Sequence, residues 1–492
     1  MDLRITVQLT VDQYDLFTIF ISRYFTFLKK LPVTTVALIV VCLGSFIGPL
    51  GMASVNVAIP NLAADLHANA KMVSWLPTLF LLSSVVFMLP FGKLADNYGR
   101  KRIYTIGLAL NAFTSLMCAL GQQIEWVLFW RFAQGAASAM IFGTGVAILT
   151  SVTPSHKRGA ALGLAAACVY IGLTLAPAIG GLLTEIWSWR AVFLFQVPLI
   201  LFLLLLIKWG LKGEWKNDEV ASFDWRGSFI FAVSSASLVF GFSSVPKLYG
   251  FLLLILSVIT MIFFVYHQSR HHTPLIRVQM FRESRVFSMS LTTSLLMYGS
   301  NFPLAFLLSL YLQVVQGYGP AEAGQILLLQ AFAMAILAPM SGRLSDKIQP
   351  RFLATIGCAI VACGFLVLSQ MTTATGTTYI GGSLLLIGIG FGLFSSPNNN
   401  AIMGAVQDRE LGVASASLNL ARTIGNLLGM SSVNLLVHYY LGDNKIVAEQ
   451  TPALMNTLST AFYISLVSVI IATFLSGFRG KAERQTNSSA SG

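Results

Sequence analysis

Gly92-Lys-Leu-Ala-Asp96 closes one long apolar run of this chain, and Gly342-Arg-Leu-Ser-Asp346 closes another; from 92 to 342 the offset is 250 residues. A second pair repeats the spacing. Gly159 and Gly172 of one apolar run return as Gly412 and Gly425 of a later run, at an offset of 253. Two six-helix halves, with two further helices between them, account for both offsets. Parallel halves around a central pathway are a known transporter architecture.

The composition around these segments requires a membrane. Of 492 residues 55% are hydrophobic and 10% charged, and the mean hydropathy is +0.75, whereas a soluble domain carries about a quarter charged residues. A bilayer crossing takes about 20 mainly apolar residues as a helix. The apolar stretches here run continuously and do not alternate, so the crossings are helices and not barrel strands. Fourteen such stretches can be counted, the first at 34–56 and the last at 458–478. The expected division is a cytoplasmic N-terminal segment at 1–32, a six-helix bundle at 33–209, two linker helices with cytoplasmic loops at 210–285, a second six-helix bundle at 286–478 and a cytoplasmic tail at 479–492. The first of these has no evident cleavable leader; its aromatic stretch, interrupted by Arg23, reads as an interfacial amphipathic helix or as a non-essential leader.

A net charge of +12 can signal nucleic acid, but here the basic residues crowd into short loops between apolar runs. One set of run ends holds roughly 25 Lys and Arg, the other only Lys71, Arg190, Lys247 and Lys445, which by the positive-inside rule puts both termini in the cytoplasm. A miscounted crossing would scramble that alternation. Nucleic acid is therefore not an expected partner; lipid bilayer, a small-molecule substrate and protons are. The five cysteines all lie within apolar runs, none in a Cys-x-x-Cys pair, and read as small core residues. No metal-ligand spacing, phosphate-cradling loop or nucleophile elbow is visible. The reading is of a protein that is not an enzyme, with no cofactor and no metal. The longest hydrophilic stretch, 210–225, is too short for an ATPase domain.

Three stretches together carry a family resemblance. Gly92-Lys-Leu-Ala-Asp-Asn-Tyr-Gly-Arg-Lys-Arg102 resembles the loop between spans 2 and 3 of the major facilitator superfamily. Arg131-Phe-Ala-Gln-Gly135 is similar to its fourth-span motif, and Gly172-Leu-Thr-Leu-Ala-Pro177-Ala-Ile-Gly180-Gly181 to its fifth-span antiporter motif, with Ala176 where Gly is usual. With Trp187-Ser-Trp-Arg190, Phe223-Asp-Trp-Arg-Gly227 and Gly319-Pro-Ala-Glu-Ala-Gly324, the chain resembles the fourteen-spanner branch of the drug:proton antiporters, of the multidrug efflux type. The resemblance implies an all-α membrane fold of two six-helix bundles plus two extra helices, working by alternating access as a monomer in the bacterial inner membrane. Accessory export proteins are a partner class an exporter of this kind admits. One position departs from the pattern. Where the branch carries an Asp in span 1, this chain has Gly51, in Gly51-Met-Ala-Ser-Val-Asn56-Val-Ala-Ile-Pro60.

The gating and coupling candidates follow from those motifs: Gly92, Asp96, Gly99, Arg100 and Arg102 in the signature loop, Arg131 and Gly135, Pro177 and Gly181, and Asp346 as a weaker second latch. A carboxylate at a helix boundary can clip arginines and span ends together, which makes Asp96 either a latch that breaks and reforms or part of a topogenic loop. Arg131 lies near the outer part of span 4 and shares a face with Gln134; a charge inside a span faces a cavity or a partner. Arg422, flanked by Asn419 and Asn426, either lines the pathway or glues helices. Asn56, Gln134, Gln330, Asn419 and Arg422 are the substrate-contact candidates. The fifth-span motif is implied to seal the cytoplasm-facing side and to mark exporters. No carboxylate sits at mid-membrane: Glu125, Glu185, Glu322 and Glu410 all lie at span ends. The sequence supports export of small amphipathic compounds by proton antiport. The alternatives are an uptake permease or a narrow exporter of a neutral or anionic metabolite such as a siderophore, and more remotely a membrane-embedded sensor.

Overall fold

The computed structural model describes residues 32–154, 158–216, 223–272, 274–345, 348–406, 411–442 and 450–480. The expected interfacial segment and Asp346 lie outside the described residues. Among the described residues, fourteen long helices build the molecule. They are α1 (Val33–Asp65), α2 (Ala70–Tyr98), α3 (Arg100–Ala119), α4 (Ile124–Val152), α5 (Arg158–Ile186) and α6 (Trp189–Gly210), then α7 (Trp225–Ser244) and α8 (Leu248–Arg270), then α9 (Arg285–Val315), α10 (Pro320–Ser345), α11 (Pro350–Ser369), α12 (Thr377–Gly404), α13 (Leu411–Tyr440) and α14 (Thr451–Phe478). Among the described residues, twelve helices are long and apolar enough to cross a membrane. The remaining two long helices are α3, which opens on Arg100-Lys101-Arg102, and α13, which carries Asn419, Arg422 and Asn426. Among the described residues there is no strand, and the chain is a multi-pass membrane protein.

Small residues set the helix spacing, because lipid supplies no hydrophobic drive between helices and close packing must do so. In the first half α5 lies against α1 at Gly172, on the Phe46 carbonyl, and at Gly180, where a Cβ would come 2.5 Å from the Ser54 carbonyl oxygen. In the second half α13 lies against α9 in the same way, Gly425 on the Leu295 carbonyl and Gly429 on that of Gly299. The repeat seen in sequence is thus a repeated helix-helix contact.

The halves meet through two crossed pairs, α5 with α10 and α13 with α2. Gly324 rests on the Pro177 carbonyl and Gly181 on that of Pro320. Three hydrogen bonds cross between the halves nearby: Gln313 Nε2 donates to the Val57 carbonyl (2.9 Å), Asn434 Nδ2 to Thr78 Oγ1 (3.0 Å), and the Ala321 amide to Glu185 (3.0 Å). All lie toward the charge-poor end of the bundle. The fifth-span motif therefore packs against the other half near the end opposite the basic loops. The physical reason is its place in α5, where Pro177 and Gly181 fall in the last turns before Ile186.

α7 leans on α2 and α13, with Trp75 and Phe240 ring centroids 5.3 Å apart. α8 packs mainly on α7, through reciprocal Ser234–Ser257 hydroxyl-to-carbonyl bonds of 2.9 and 2.8 Å and the Phe231–Phe264 ring pair. Its other face exposes Leu252, Ile255, Ile259, Ile262 and Phe263, an apolar surface suited to a lipid environment. The pair is tied at its basic end by Asp224, which caps α7 by accepting the Gly227 amide (2.8 Å) and receives Gln268 Nε2 (2.7 Å) and His267 Nε2 (2.9 Å) from α8. Burial raises the Asp224 pKa, but these hydrogen bonds outweigh it and hold the carboxyl below its ordinary value.

Candidate transport site

Arg131 projects from α4 into the middle of the first half and is 1% exposed. Its Nη1 donates to Gln134 Oε1 (2.6 Å), and its Nε reaches the Leu76 carbonyl at 3.4 Å. Gln134 Nε2 passes the chain on to Ser115 Oγ (2.7 Å). The guanidinium lies 4.5 Å from the centre of the Phe80 ring and 5.9 Å from that of Phe193. Every one of these partners is neutral. Among the described residues this buried cation, stacked on aromatic faces and bonded to amide oxygens, is held without a counter-ion.

Gly51 explains why no counter-ion stands there. It lines the same small cavity as Arg131, with Gly48, Met52, Phe80, Asn111, Gln134, Ser138 and Gln196, a space of about 10 Å³, roughly the room of one water molecule. A Cβ on Gly51 would fall within 2.6 Å of the Gln196 amide nitrogen. Gln196 is 2% exposed and anchored by its Nε2 on the Val192 carbonyl at 3.3 Å. The neutral amide therefore fills the volume a span-1 carboxylate would need. Nothing along the chain joins Gln196 to Gly51, so only the fold reveals the pair.

The second half presents a looser cluster. Arg422 Nη2 donates to Asn399 Oδ1 (2.8 Å), and its guanidinium lies 4.9 Å from the Tyr298 ring centre. Of its expected companions, Asn419 accepts at its backbone carbonyl from Thr423 (2.8 Å), and the described partner of Arg422 comes instead from the Asn398-Asn399-Asn400 run. Gln330 Nε2 donates to Asn301 Oδ1 (2.5 Å), linking α10 to α9. Asn56 is 2% exposed on α1, and its Oδ1 is buried without a hydrogen-bond partner; it belongs to neither arginine cluster. Arg479, placed by sequence in the tail, is 1% exposed and folds back to Ser290 Oγ (3.0 Å) and Asn398 Oδ1 (2.6 Å). Its position directly after α14 hid that role.

At the basic end the signature loop is a clip within the first half. Asp96 Oδ1 accepts Arg100 Nε (3.0 Å) and Nη2 (2.8 Å), and Arg100 Nη1 continues to Ser151 Oγ of α4 (2.6 Å). Arg102 does not join Asp96: its side chain is exposed, and its amide donates to Glu214 Oε2 (3.2 Å) while the Lys101 amide donates to Oε1 (2.8 Å). Glu214, which sequence reading passed over as a loop residue, thus caps the N-terminus of α3. Gly99 has φ +116°, and a Cβ there would meet the Glu214 carboxyl carbon at 2.5 Å, so conformation and contact both demand glycine. Gly92 sits in open space, whereas Gly135 lies against the Phe80 carbonyl and lets α4 approach α2. At the charge-poor end Asp65 accepts Arg190 Nη1 (2.7 Å) and Trp189 Nε1 (2.9 Å), joining α1 to the start of α6.

Comparisons with known proteins agree with this architecture. Residues 41–430 match the family model described as Major Facilitator Superfamily. The chain is 26% identical over 446 residues to the riboflavin transporter RibZ of Clostridioides difficile, covering 90% of this chain and 97% of that one. It is 29% identical over 413 residues to the multidrug resistance protein Stp of Mycobacterium tuberculosis, covering 82% of this chain and 76% of that one. Among solved structures, a bacterial homologue of the human lysosomal transporter Spinster shares the fold at TM-score 0.66 and 15% identity over 91% of this chain and 97% of that one. A D-xylose–proton symporter does so at TM-score 0.64 and 14% identity over 92% of this chain and 100% of that one. With two six-helix halves meeting along crossed helix pairs, and a family model spanning most of its length, the chain belongs to the major facilitator superfamily and is a transporter, not an enzyme.

Proposed function

We propose that this transporter exports small amphipathic compounds that are neutral or anionic, by alternating access driven by the proton gradient. The observation that carries the charge class is Arg131: fully buried, bonded only to neutral groups, with Gln196 occupying the volume where a carboxylate at position 51 would stand. A cavity with a fixed buried cation and no mid-span carboxylate repels a cationic substrate and favours one carrying negative charge or exposed acceptor oxygens. The seal at the charge-poor end supports a state open toward the basic loops, the cytoplasmic side in the orientation proposed from charge. In this reading protons use carboxylates at the rims, Asp96, Glu125 or Glu322, and the chain acts as a monomer in a bacterial inner membrane.

The test is export from cells lacking their main efflux pumps, comparing the native protein with Arg131→Ala and Asp96→Asn at equal membrane expression. Cationic, neutral and anionic compounds are each measured with and without a protonophore. Protonophore-sensitive export of neutral or anionic compounds, lost in both variants, supports the reading. Preferential export of cations overturns the charge class. A second reading, uptake of a narrow metabolite, is favoured by the likeness to a riboflavin transporter and by aromatic rings stacked beside Arg131; net accumulation in place of export would decide for it.

A further inference from the structure

The basic end of the two extra helices brings together three side chains that lie outside the gating, coupling and substrate-contact residues, Asp224 of the Phe223–Gly227 stretch among them. His267 and His271 stand four residues apart at the end of α8, which puts both imidazoles on one face, with ring centroids 5.1 Å apart. Asp224 comes from the start of α7, and its side chain is buried. One nitrogen from each histidine and one Asp224 oxygen all lie within 4.8 Å of one another. We propose that Asp224, His267 and His271 form a binding site for a divalent transition-metal ion of the zinc class, clamping α7 to α8.

Three features make this a built site. The carboxylate is oriented before any ion arrives: the Gly227 amide holds Oδ1 and Gln268 Nε2 holds Oδ2, at 2.8 and 2.7 Å. Gln268 is itself fixed, its Oε1 accepting the Leu275 amide at 2.6 Å. Outer partners of this kind set ligand geometry and raise affinity. Gly227 leaves no room for variation, since a Cβ there would meet Gln268 Nε2 in the same space as the carboxylate. The donor set, two imidazoles and one carboxylate, suits zinc, cobalt or nickel in preference to magnesium or calcium, which take oxygen ligands. Three protein ligands leave a fourth position for water. The ion would take the place of the direct His267–Asp224 hydrogen bond, so binding releases any proton that His267 or His271 carries. Arg226, Arg270 and His272 around the cluster are exposed, and Arg270 turns its guanidinium to the Tyr266 ring, 4.6 Å away. Their charge lowers the affinity of a cation site at low ionic strength without blocking it.

The experiment uses the full-length transporter purified in detergent without a polyhistidine tag. Zinc chloride is titrated by calorimetry, and cobalt chloride is followed by its visible absorption bands. The expected result is one saturable equivalent, weakened roughly tenfold or more in His271→Ala and in His267→Gln. His272→Ala, a neighbour outside the cluster, binds as the native protein does. His271→Ala keeps the Asp224–His267 contact and so the local fold, and a thermal melt confirms it. Zinc raises the melting midpoint of the native protein but not of His271→Ala. Binding that is absent in the native protein, or unchanged in both His267→Gln and His271→Ala, overturns the proposal.

Discussion

Gly51→Asp, alone and combined with Gln196→Ala, probes the packing on which the charge-class argument depends. A Cβ at position 51 would lie 2.6 Å or less from the terminal atoms of Gln196, inside contact distance, so the single variant must push a buried amide off its perch. Overpacking of this kind costs about 1–3 kcal/mol. In the double variant the amide is gone and the new carboxylate enters the cavity that Arg131 lines, where an opposite charge offsets part of its own burial. The two substitutions should therefore be non-additive, with a coupling of about 1–3 kcal/mol in favour of the pair. That energy also sets the expected change in selectivity: at 1.4 kcal/mol per decade, affinity for a cationic compound relative to an anionic one should rise about ten- to a hundredfold in the double variant. Thermal midpoints in detergent read the first effect, and competition between charged ligands reads the second. If the stability effects simply add and charge preference stays where it was, Gln196 is not the residue that replaces the missing carboxylate, and the argument fails.

Other perturbations follow from single contacts. Glu214→Ala removes the carboxylate that caps α3 at the Lys101 and Arg102 amides and should cost about 0.5–2 kcal/mol; a melting midpoint equal to the native one would contradict that role. Gln313→Ala with Asn434→Ala removes two hydrogen bonds from the charge-poor seal, each worth about 1 kcal/mol. Thiol reagents applied from that side should then label a reporter cysteine at the mouth several-fold faster, and unchanged labelling would show that backbone packing alone closes it. Arg131→Lys keeps the charge but cannot reproduce the guanidinium geometry toward Gln134 and the Phe80 ring; transport should fall about tenfold or more at normal expression, and native rates would reduce Arg131 to a point charge.

The parts of this molecule legible in its sequence are those with a local or periodic signature. The fourteen long helices of the described residues, twelve of them candidate spans, follow from continuous apolar runs. The two-half plan follows from Gly92 to Asp96 returning at Gly342 to Asp346. The Asp96–Arg100 ion pair lies in the signature loop that the sequence singles out, and it is closed by the turn at Gly99 between α2 and α3. What escaped depends on contacts between distant residues. Gln196 and Gly51, Glu214 and the α3 amides, and Glu185 and Ala321 are each joined only by tertiary packing. Arg479 escaped for a different reason: in sequence it reads as one more basic tail residue, and only the side-chain acceptors at Ser290 and Asn398 reveal it as buried. His267 and His271 by themselves are two histidines near a span end, and the third partner that groups them, Asp224, comes from another helix.

The placement of Pro177 gives the last and most mechanical expectation. α5 is held on two sides. Toward its basic end Gly172 lies against the Phe46 backbone of α1, within its own half, and toward its charge-poor end Gly181 and Pro177 lie against α10 of the other half. If the halves rock, the contact with α10 must part while the contacts with α1, at Gly172 and again at Gly180, persist, and the load falls on the stretch of α5 from 172 to 181. Proline stands at that point: it has no amide hydrogen to give the Leu173 carbonyl, which leaves the helix free to bend there. Restoring the bond with Pro177→Ala should relieve the cost of a proline within a helix, up to about 3 kcal/mol, and raise the melting midpoint. The stiffer helix should at the same time slow the passage between states, so that transport falls while binding of the compound is kept. A variant that is both more stable and as fast as the native protein would show that α5 moves as a rigid rod, and the hinge would have to be sought at the interface with α10 instead.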